Sequence, residues 1–426
     1  MKILPEGFKD SDIGPIPEDW EVKMLSHVCS MQSGQTITAK KIGFTGNYPC
    51  YGGNGFRGYT QTYTHDGVFP IIGRQGALCG NTKLAIGKFY ASEHAVVVTC
   101  NQKANPIWLY YTLGSMNLNQ YAEATAQPGL AVSKIMRQYI PLPLLPEQQA
   151  IADALSDIDA LIGAQEELLA KKRAIKQGAM QELLTGRRRL PGFPVRPMKQ
   201  TDIGPIPEDW EVKELGGIGT CLTTASYTRA QLKTAGDVKY IHYGDIHVKY
   251  KYLLDVGKKE LPYIESYMVK QFALLRNGDL IIADASEDYE GLGDCIEIYG
   301  AEETLCISGL HTILYRPANN VFAEGYICLL REIESVYRQL VTLAVGTKVY
   351  SLTSHAVKQL QVPLPPYSEQ QAIAAALSDM DAEITAVEEE LAKHRALKRG
   401  MMQELLSGRI RLPYKKTTHR KQNAGE

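Results

Sequence analysis

Two features that direct many chains to or across a membrane are missing from this sequence. Its 426 residues contain no apolar run approaching the ~18 residues that a membrane-spanning helix needs. The first seven residues, Met-Lys-Ile-Leu-Pro-Glu-Gly, lack the apolar segment of a secretory signal. We therefore expect a cytoplasmic protein with no membrane partner.

Cysteine is sparse and scattered. The eight cysteines lie at positions 29, 50, 79, 100, 221, 295, 306 and 328, and no two form a Cys-x-x-Cys pair. No Cys/His cluster has the spacing of a zinc site. We expect unpaired, mostly buried thiols and no metal bound by the chain.

Catalytic signatures are also absent. There is no Gly-x-x-x-x-Gly-Lys-Ser/Thr loop for ATP and no Gly-x-Ser-x-Gly nucleophile turn. Residues 105–108, Asn-Pro-Ile-Trp, differ at their third position from the Asn-Pro-Pro-aromatic motif of adenine methyltransferases and read as a helix start. Residues 17–23 approximate a nuclease Pro-Asp…Glu-x-Lys site, but the acidic residues are too close together to surround a metal. We predict that the chain catalyses nothing itself.

A large excess of positive charge is missing as well, since the net charge is −1. That sum hides a division along the chain. Residues 20–146 carry ten Lys/Arg against four Asp/Glu, whereas residues 210–367 carry fifteen against nineteen. A basic first half suits contacts with phosphates. An ordinary solvated surface can show the same surplus, so charge alone does not define the function.

What the chain does have is an internal repeat. The eleven residues Asp-Ile-Gly-Pro-Ile-Pro-Glu-Asp-Trp-Glu-Val occur at 12–22 and again at 202–212, an offset of 190. Residues 147–152 and 180–186 return at 369–374 and 402–408, an offset of 222, with one Thr replaced by Ser. A chain that repeats a frame and varies the sequence between predicts two different surfaces on one scaffold.

Each Glu-Gln-Gln block opens a helical pattern. In the second copy apolar residues follow spacings of 4, 3, 4, 3 and 4, as in a coiled-coil seam, at Ile373, Leu377, Met380, Ile384, Val387 and Leu391. The first copy has the same rhythm with Gln165 at one position. About 39 residues of helix would extend ~58 Å. We predict that the two helices form an antiparallel pair; packing of each helix on its own domain is the alternative.

The segments between the repeats predict strands and short helices. β-type runs occur at 67–73, 95–99 and 279–283, and short helices are expected at 107–113 and 326–343. The predicted fold class is α+β, with two globular mixed α/β domains separated by two long antiparallel helices in a pseudo-twofold repeat. The predicted segments are a first domain with an N-terminal arm at 1–145, a long helix at 146–186, a linker at 187–209, a second domain at 210–367, a second long helix at 368–408 and a disordered basic tail at 409–426.

The repeated motifs resemble a known family. Ile-Gly-x-Ile-Pro-x-x-Trp, Pro-Leu-Pro-x-x-x-Glu-Gln-x-x-Ile-Ala and Leu-Leu-Thr/Ser-Gly-Arg occur twice in this order, and over roughly 5–413 they resemble the specificity (S) subunit of type I restriction–modification systems. The resemblance implies two target-recognition domains that each read half of a bipartite site in double-stranded DNA. It also implies that the long helices space the domains and dock two modification (methyltransferase) subunits.

The same resemblance assigns the chemistry to partners. Modification subunits would use S-adenosylmethionine, and restriction subunits would use ATP and Mg²⁺ for translocation and cleavage. No cofactor is expected on this chain. Since the two domains differ in sequence, we predict an asymmetric target with half-sites ~10 bp apart. A stand-alone or fused DNA methyltransferase or nuclease, or a protein-binding coiled-coil scaffold, are the alternatives.

Candidate DNA contacts in the first domain lie in three stretches and at Asn81 between the second and the third. At 51–59, glycines allow close approach to DNA, while Asn and Arg suit adenine and guanine edges; a plain polar hairpin is the alternative. The stretches 72–76 and 91–94 resemble family loops on the DNA side, although the histidine of the second also fits a core position. The candidates are Gly53, Asn54, Gly55, Arg57, Tyr59, Arg74, Gln75, Asn81 and His94.

In the second domain the stretches 240–245 and 283–289 take the corresponding places, and carboxylates there could accept from cytosine N4. Loops at 125–130 and 347–352 precede the two long helices and also resemble DNA-side loops. The candidates are His242, Tyr243, Asp245, His247, Asp284, Ser286, Glu287, Tyr289, Lys348, Tyr350 and, in the first domain, Gln127.

Overall fold

The structure, a computed structural model, describes residues 4–76, 78–123, 129–269 and 271–413. It divides into two compact units: unit 1 comprises Met1–Glu167 with Glu389–Glu426, and unit 2 comprises Leu168–Glu388. Both units include part of each long helix, which the sequence analysis set apart from the domains. Gln127 and the predicted tail from 414 onwards lie outside the described residues.

Unit 1 is built around one main sheet, two short α-helices and part of each long helix. Its strands are β1 Phe8–Lys9, β2 Ile16–Pro17, β3 Glu21–Met24, β4 Cys29–Ser33, β5 Tyr48–Gly52, β6 Gly55–Thr60, β7 His65–Gly73, β8 Thr82–Ala91, β9 Ala95–Cys100, β10 Ala122–Glu123, β11 Gly129–Leu130 and β12 Tyr139–Leu142. Its helices are α1 Pro106–Ser115, α2 Val132–Met136 and α3 Leu145–Leu183.

The main sheet of unit 1 has the strand order β4-β9-β7-β8-β5-β6 and is antiparallel except where β5 pairs with β8. One face carries a core that includes Val96, Val98, Trp108 and Leu109. Helix α1 starts as predicted, because the Asn105 side chain accepts hydrogen bonds from the two backbone N–H groups of residues 107 and 108. The near-match to a methyltransferase motif is therefore a helix cap.

Unit 2 has a different strand arrangement. Its strands are β13 Met198–Lys199, β14 Ile206–Pro207, β15 Glu211–Glu214, β16 Gly219–Leu222, β17 Val238–Ile241, β18 Tyr252–Asp255, β19 Tyr263–Ile264, β20 Leu280–Ala283, β21 Ala285–Ser286, β22 Cys295–Tyr299, β23 Cys306–Ser308, β24 Thr312–Pro317, β25 Tyr350–Ser351 and β26 Gln361–Leu364. Its helices are α4 Leu215–Ile218, α5 Tyr243–Val248, α6 Glu334–Leu343, α7 Ser354–Lys358 and α8 Tyr367–Leu406, the last of which continues into unit 1.

Two sheets form the core of unit 2, one ordered β16-β24-β20-β22-β18 and one ordered β19-β17-β23. The single helix predicted at 326–343 was wrong in one respect. A 3-10 helix at Ile327–Glu332 is followed by Ile333 in an extended conformation (φ −78°, ψ 118°), and α6 begins only after it. The 3-10 segment buries consecutive apolar residues on all sides, whereas α6 buries one face only.

In each unit the long helices contact one another through ion pairs that recur in the repeat. In unit 1, Asp159 pairs with Lys398 and Glu166 with Arg395, both at 2.6 Å. In unit 2, the residues 222 positions away form the same pairs, Lys176–Asp381 and Arg173–Glu388, both at 2.5 Å. Residue numbers rise along one helix as they fall along the other, so the helices run antiparallel within each unit.

The polar residue in the first helical seam has polar partners. Gln165 is buried in unit 1. Its amide nitrogen donates to Glu390 at 3.3 Å, and its oxygen lies 2.8 Å from Nδ1 of His394. A buried amide satisfied in this way costs little, and it favours one register of the helix pair over others.

The repeated block at 12–22 is explained largely by a cluster that joins it to α3 and to the segment that follows α8. In unit 1, the indole of Trp20 donates to the buried carboxylate of Glu147 at 2.9 Å. The guanidinium of Arg411 bridges that carboxylate to Asp19 and lies 5.6 Å from the centre of the indole ring. We call these four residues frame cluster 1.

Frame cluster 2 has the same construction in unit 2. Trp210 donates to Glu369 at 2.9 Å, and Arg189 bridges Glu369 to Asp209. Gly186, which ends α3 with φ +68°, packs so closely that an added Cβ would lie 2.4 Å from Pro207. Of the acidic residues that approximated a nuclease site, Asp19 is therefore an ion-pair partner inside a structural cluster, as is its copy Asp209.

Other absences expected from the sequence can be compared with the described residues. The eight cysteines are unpaired, five of them are buried, and burial raises the pKa of the Cys29 thiol to about 12. Within residues 4–76, 78–123, 129–269 and 271–413, no group of three or more His, Cys, Asp or Glu is arranged to hold a metal. No helix in those ranges is long and apolar enough to cross a membrane.

Candidate nucleic-acid interface

The first domain presents a glycine-rich turn between β5 and β6. Asn54 is exposed at this turn, and Gly55 follows with φ +88°, a conformation that favours glycine. A Cβ on Gly53 would lie 3.0 Å from the Gln75 carbonyl and 3.5 Å from His94. Three separately predicted stretches therefore meet at one surface.

The neighbouring loop after β7 supplies polar side chains. Arg74 is exposed; its backbone N–H donates to the His94 carbonyl at 2.9 Å, and its guanidinium donates to Ser33 at 3.1 Å. Asn81 lies across the same loop, because its carbonyl accepts from Gly73 at 2.9 Å. His94 is 42% exposed and contacts Glu93 at 3.3 Å, so it is not a core histidine.

Strand β6 adds an aromatic and cationic face. The rings of Phe56 and Tyr59 lie edge to face with centroids 5.1 Å apart, and both are exposed. Arg57 is also exposed, and its side chain extends across Gly52. Exposed rings beside a cation suit stacking on bases together with contacts to phosphates. Sequence reasoning named Tyr59 and Arg57 but missed Phe56.

The second domain assembles a different cluster. Asp284 at the end of β20 contacts Nδ1 of His311 at 3.2 Å, and the ring of Tyr243 meets that imidazole edge to face at 5.2 Å. Burial raises the pKa of Asp284 above its ordinary value. A half-exposed imidazole beside a carboxylate presents two hydrogen-bonding groups side by side, which suits contact with a base edge in the major groove.

A tyrosine pair, of which Tyr289 is exposed and Tyr350 is half-buried, extends this cluster. Tyr289 and Tyr350 stack with centroids 4.1 Å apart, and the backbone of Ser286 pairs with that of Tyr350. The hydrogen bond with Tyr289 raises the pKa of the Tyr350 phenol. Glu287 and Lys348 are exposed on the adjoining loops. The predicted loops at 283–289 and 347–352 are thus brought together.

Four predicted contacts in the second domain have internal partners instead. His242 is buried, caps α5 by accepting from Gly244 at 3.2 Å, and has its pKa lowered by burial. Asp245 is 2% exposed and pairs with Arg229 and Lys249. Both ring nitrogens of His247 are engaged, by Asp294 at 2.9 Å and by a backbone carbonyl at 3.0 Å.

The hydroxyl of Ser286, the fourth of these residues, is buried and accepts from the backbone N–H of Asp288 at 3.3 Å. All four side chains are thus engaged by partners within the domain, and contact of these residues with DNA stays a prediction that their geometry does not favour.

His311 was missed by sequence reasoning. It adopts φ +57°, which is unusual for a residue with a side chain and is often found at functional positions. It precedes β24 without any motif around it, so the sequence alone carried no signal beyond a single histidine among polar residues.

The family of the chain follows from a comparison of its whole length. A sequence model of the type I restriction modification DNA specificity domain matches residues 17–171 and 207–394. The chain belongs to this family. Each match begins within the repeated block and includes one set of candidate loops. Recognition of DNA sequence is therefore the function of this chain, and the comparisons give no support to a fused methyltransferase or nuclease.

Two relatives illustrate the extent of the similarity. The type I restriction enzyme EcoprrI specificity subunit of Escherichia coli is 45% identical over 158 residues, which cover 36% of this chain and 38% of that protein. A putative type I restriction enzyme MjaX specificity subunit of Methanocaldococcus jannaschii is 27% identical over 450 residues, covering 96% and 97%. The strong identity thus spans well under half of the E. coli relative, and the weaker identity spans nearly all of the archaeal one.

Solved structures agree on the fold. A type I restriction–modification S subunit from M. genitalium aligns with a TM-score of 0.61 at 14% identity and covers 95% of this chain and 99% of its own. A chain from a structure of type I restriction–modification complex assembly aligns with a TM-score of 0.50 at 15% identity, covering 93% and 99%. At such low identity these likenesses concern the fold alone.

Proposed function

We propose that residues 20–145 read one half of an asymmetric bipartite DNA target and that residues 210–367 read the other half. The observation that carries this proposal is the contrast between frame and loops. Frame clusters 1 and 2 have the same residues and the same geometry, whereas the candidate DNA surfaces share neither residues nor strand arrangement. Two matching frames that carry different candidate DNA surfaces suit the recognition of two different half-sites.

The chemistry of the two surfaces differs in a way that suits different bases. In the first domain Asn54 and Arg57 offer bidentate contacts to adenine and guanine respectively. In the second domain Asp284, beside His311, offers a carboxylate acceptor, which suits the exocyclic amine of adenine or cytosine. The Tyr289–Tyr350 stack adds an aromatic surface for a sugar or a base.

We further propose that the long helices fix the distance between half-sites. The repeated ion pairs and the Gln165–His394 contact favour one register of the antiparallel pair within each unit. Four residues inserted after Leu184, before Arg187, should lengthen the unread spacer by a base pair or two while preserving both half-sites. An active mutant with its original spacer would show that helix packing alone sets the distance.

Two identical hairpin tips support docking of two modification subunits. Asp12-Ile13-Gly14-Pro15 and its copy at 202–205 lie between paired strands, and Gly14 and Gly204 have φ of +98° and +100°. In both tips the glycine carbonyl accepts from a hydroxyl, that of Ser11 at 2.5 Å or of Thr201 at 2.6 Å. Asp12 and Pro15 are exposed, as are their copies Asp202 and Pro205, so a partner present twice would account for their identity.

The cofactors belong to those partners in this proposal. S-adenosylmethionine would be bound by the modification subunits, and ATP and Mg²⁺ by restriction subunits where these are present. The chain would supply DNA recognition and the geometry of assembly. It would reach its target as a complex, so a modest positive charge on this chain is sufficient if its partners also contact phosphates.

The decisive experiment expresses the chain with its modification subunit and maps methylated adenines by single-molecule sequencing. We expect one asymmetric bipartite motif, no methylation by the chain alone, and replacement of one half-motif when residues 20–145 are exchanged for another reader of the family. Methyl transfer by the purified chain alone would overturn the noncatalytic role. A change in both half-motifs would overturn the assignment of one domain to one half-site.

A further inference from the structure

A single phenylalanine in the first domain is entirely exposed. Phe44 has a relative exposure of 102%, the highest among the large hydrophobic residues that the structure describes. It lies in the loop between the 3-10 helix Ala39–Lys41 and β5. Within the described ranges its ring contacts no other aromatic ring. This side chain therefore contributes no buried apolar area to the fold.

The loop that carries Phe44 is held at both ends by β6. Gly43 and Tyr59 exchange two backbone hydrogen bonds, of 2.9 and 2.8 Å, and the N–H of Asn47 donates to the Thr60 carbonyl at 3.0 Å. Gly46 lies so near β6 that an added Cβ would be 2.8 Å from the Cβ of Tyr59. The ring thus projects from a fixed base beside the face that carries Phe56 and Tyr59.

The charges around this ring favour a polyanion. Lys40 and Lys41 are exposed, and neither forms an ion pair within the described ranges. Arg57 is exposed on β6, two residues before Tyr59. An apolar side chain flanked by free cations is the combination with which proteins insert between base pairs while neutralising phosphates. A protein partner would need an apolar pocket for the ring but has no general need of the lysines.

The second domain has the same loop without the aromatic residue. There the 3-10 helix Arg229–Gln231 precedes Lys233, whose backbone bridges to Tyr263 as that of Gly43 does to Tyr59. Counting by the repeat offset of 190, the position of Phe44 is occupied by Thr234. The aromatic projection is therefore a property of one domain only.

We propose that Phe44 inserts at a base step in or beside the half-site read by the first domain, while Lys40 and Lys41 contact the flanking phosphates. This rests on the proposed function, because it presupposes that the first domain faces DNA. Insertion unstacks the step and bends the duplex locally, so the cost depends on sequence. The first half-site would then be selected partly by its deformability, and the second half-site would not.

The test uses the full chain with its modification subunits and target duplexes that carry 2-aminopurine at successive positions outside the methylated adenines. Wild type should give a several-fold rise in fluorescence at one step on the first half-site side. Phe44→Ala should abolish that rise and weaken DNA binding by about 5- to 100-fold, the range expected for one lost stacking contact. Phe44→Trp should retain both properties.

The matched control is Thr234→Ala at the corresponding position of the second domain, which should change neither property, whereas Thr234→Phe should create a new fluorescent step on the second half-site side. Because Phe44 is fully exposed, Phe44→Ala should unfold at the wild-type temperature. Unchanged fluorescence and affinity in Phe44→Ala would overturn the proposal. So would weaker binding of modification subunits with DNA affinity intact, which would identify a protein contact. A wild-type complex that binds no specific DNA would instead refute the proposed function.

Discussion

The two recognition domains use the same frame but satisfy their polar groups in opposite ways. In the described part of 20–145 no charged side chain is buried, and the candidate contacts are exposed around glycines. The second domain buries Asp245, Asp279 and Glu297, and the first two of these carboxylates form ion pairs with Arg229 and Arg316. The same repeated frame can therefore carry a basic, aromatic recognition domain and an acidic one with buried ion pairs. The difference between them can be tested at the frame, in the cores and at the surfaces.

The largest effect should come from the frame clusters. Arg189→Met leaves the buried carboxylate of Glu369 without its cation, so we expect a loss of about 3–5 kcal/mol in unfolding free energy. Arg411→Met should cost less, since Arg411 is 36% exposed whereas Arg189 is 3% exposed. Hydrogen exchange should localise each loss to its own unit. Arg188→Met, an exposed neighbour, is the control, and equal losses for all three variants would contradict this.

A smaller, pH-dependent effect should be confined to the second domain. Burial raises the pKa of Glu297 from 4.5 to about 7. Below pH 4.5 this carboxyl group is protonated in both the folded and the unfolded state. As pH rises toward 7 the unfolded state loses the proton first, so the stability of the fold falls. Above pH 7 the loss of stability is complete and stays constant. Glu297→Gln should therefore stabilise the protein at pH 8 by up to about 3 kcal/mol and by little at pH 4.

Urea denaturation at both pH values would measure the effect of Glu297→Gln, with the exposed Glu303→Gln as control. The same gain at both pH values would mean that the proton on Glu297 is not responsible. One carboxylate oxygen of Glu297 accepts from Gly325 at 2.8 Å, a bond that the glutamine oxygen can keep.

At the reading surfaces, His311→Ala should relax recognition at a position in the second half-site, and Arg57→Ala should do so in the first. Each should cost about 1–3 kcal/mol in discrimination, because a base-edge contact is lost. Sequencing of methylated sites would show which half of the motif changes. His355→Ala, an exposed histidine on α7, should leave both halves intact. Relaxation of the same half by His311→Ala and Arg57→Ala would disprove the division of labour.

The smallest effect on stability should come from the hairpin tips, where the two halves of the chain are identical. Asp12→Lys and Asp202→Lys should each change unfolding free energy by less than about 0.5 kcal/mol. Each should weaken the binding of one modification subunit, and the double variant should weaken both, as measured by light scattering of the assembled complex. The control is Glu6→Lys, since Glu6 is exposed but not part of the repeat. This variant should still bind two modification subunits.

Periodicity and repetition predicted the frame better than the surfaces. The 3.5-residue rhythm and the glycines at 186 and 408 are local signals, so α3 and α8 lie close to the predicted ranges. Burial of a polar residue is not a local property. In the sequence His242 and Asp245 resemble surface residues. In the structure they are buried, because His242 caps α5 and Asp245 pairs with Arg229. The exposure of Phe44 could not be predicted, because a single aromatic residue in a sequence gives no sign of whether it is exposed or buried.

Frame cluster 1 also has a consequence for how the chain is made. Unit 2 is one continuous stretch, whereas unit 1 needs residues from both sides of it. The Glu147–Arg411 contact spans 264 positions and the Glu369–Arg189 contact spans 180, a difference that costs only a few tenths of a kcal/mol in loop closure. The difference in time is much greater. During translation Glu147 cannot pair with Arg411 until the second domain has been synthesised. The domain that is synthesised first is therefore the last to be completed.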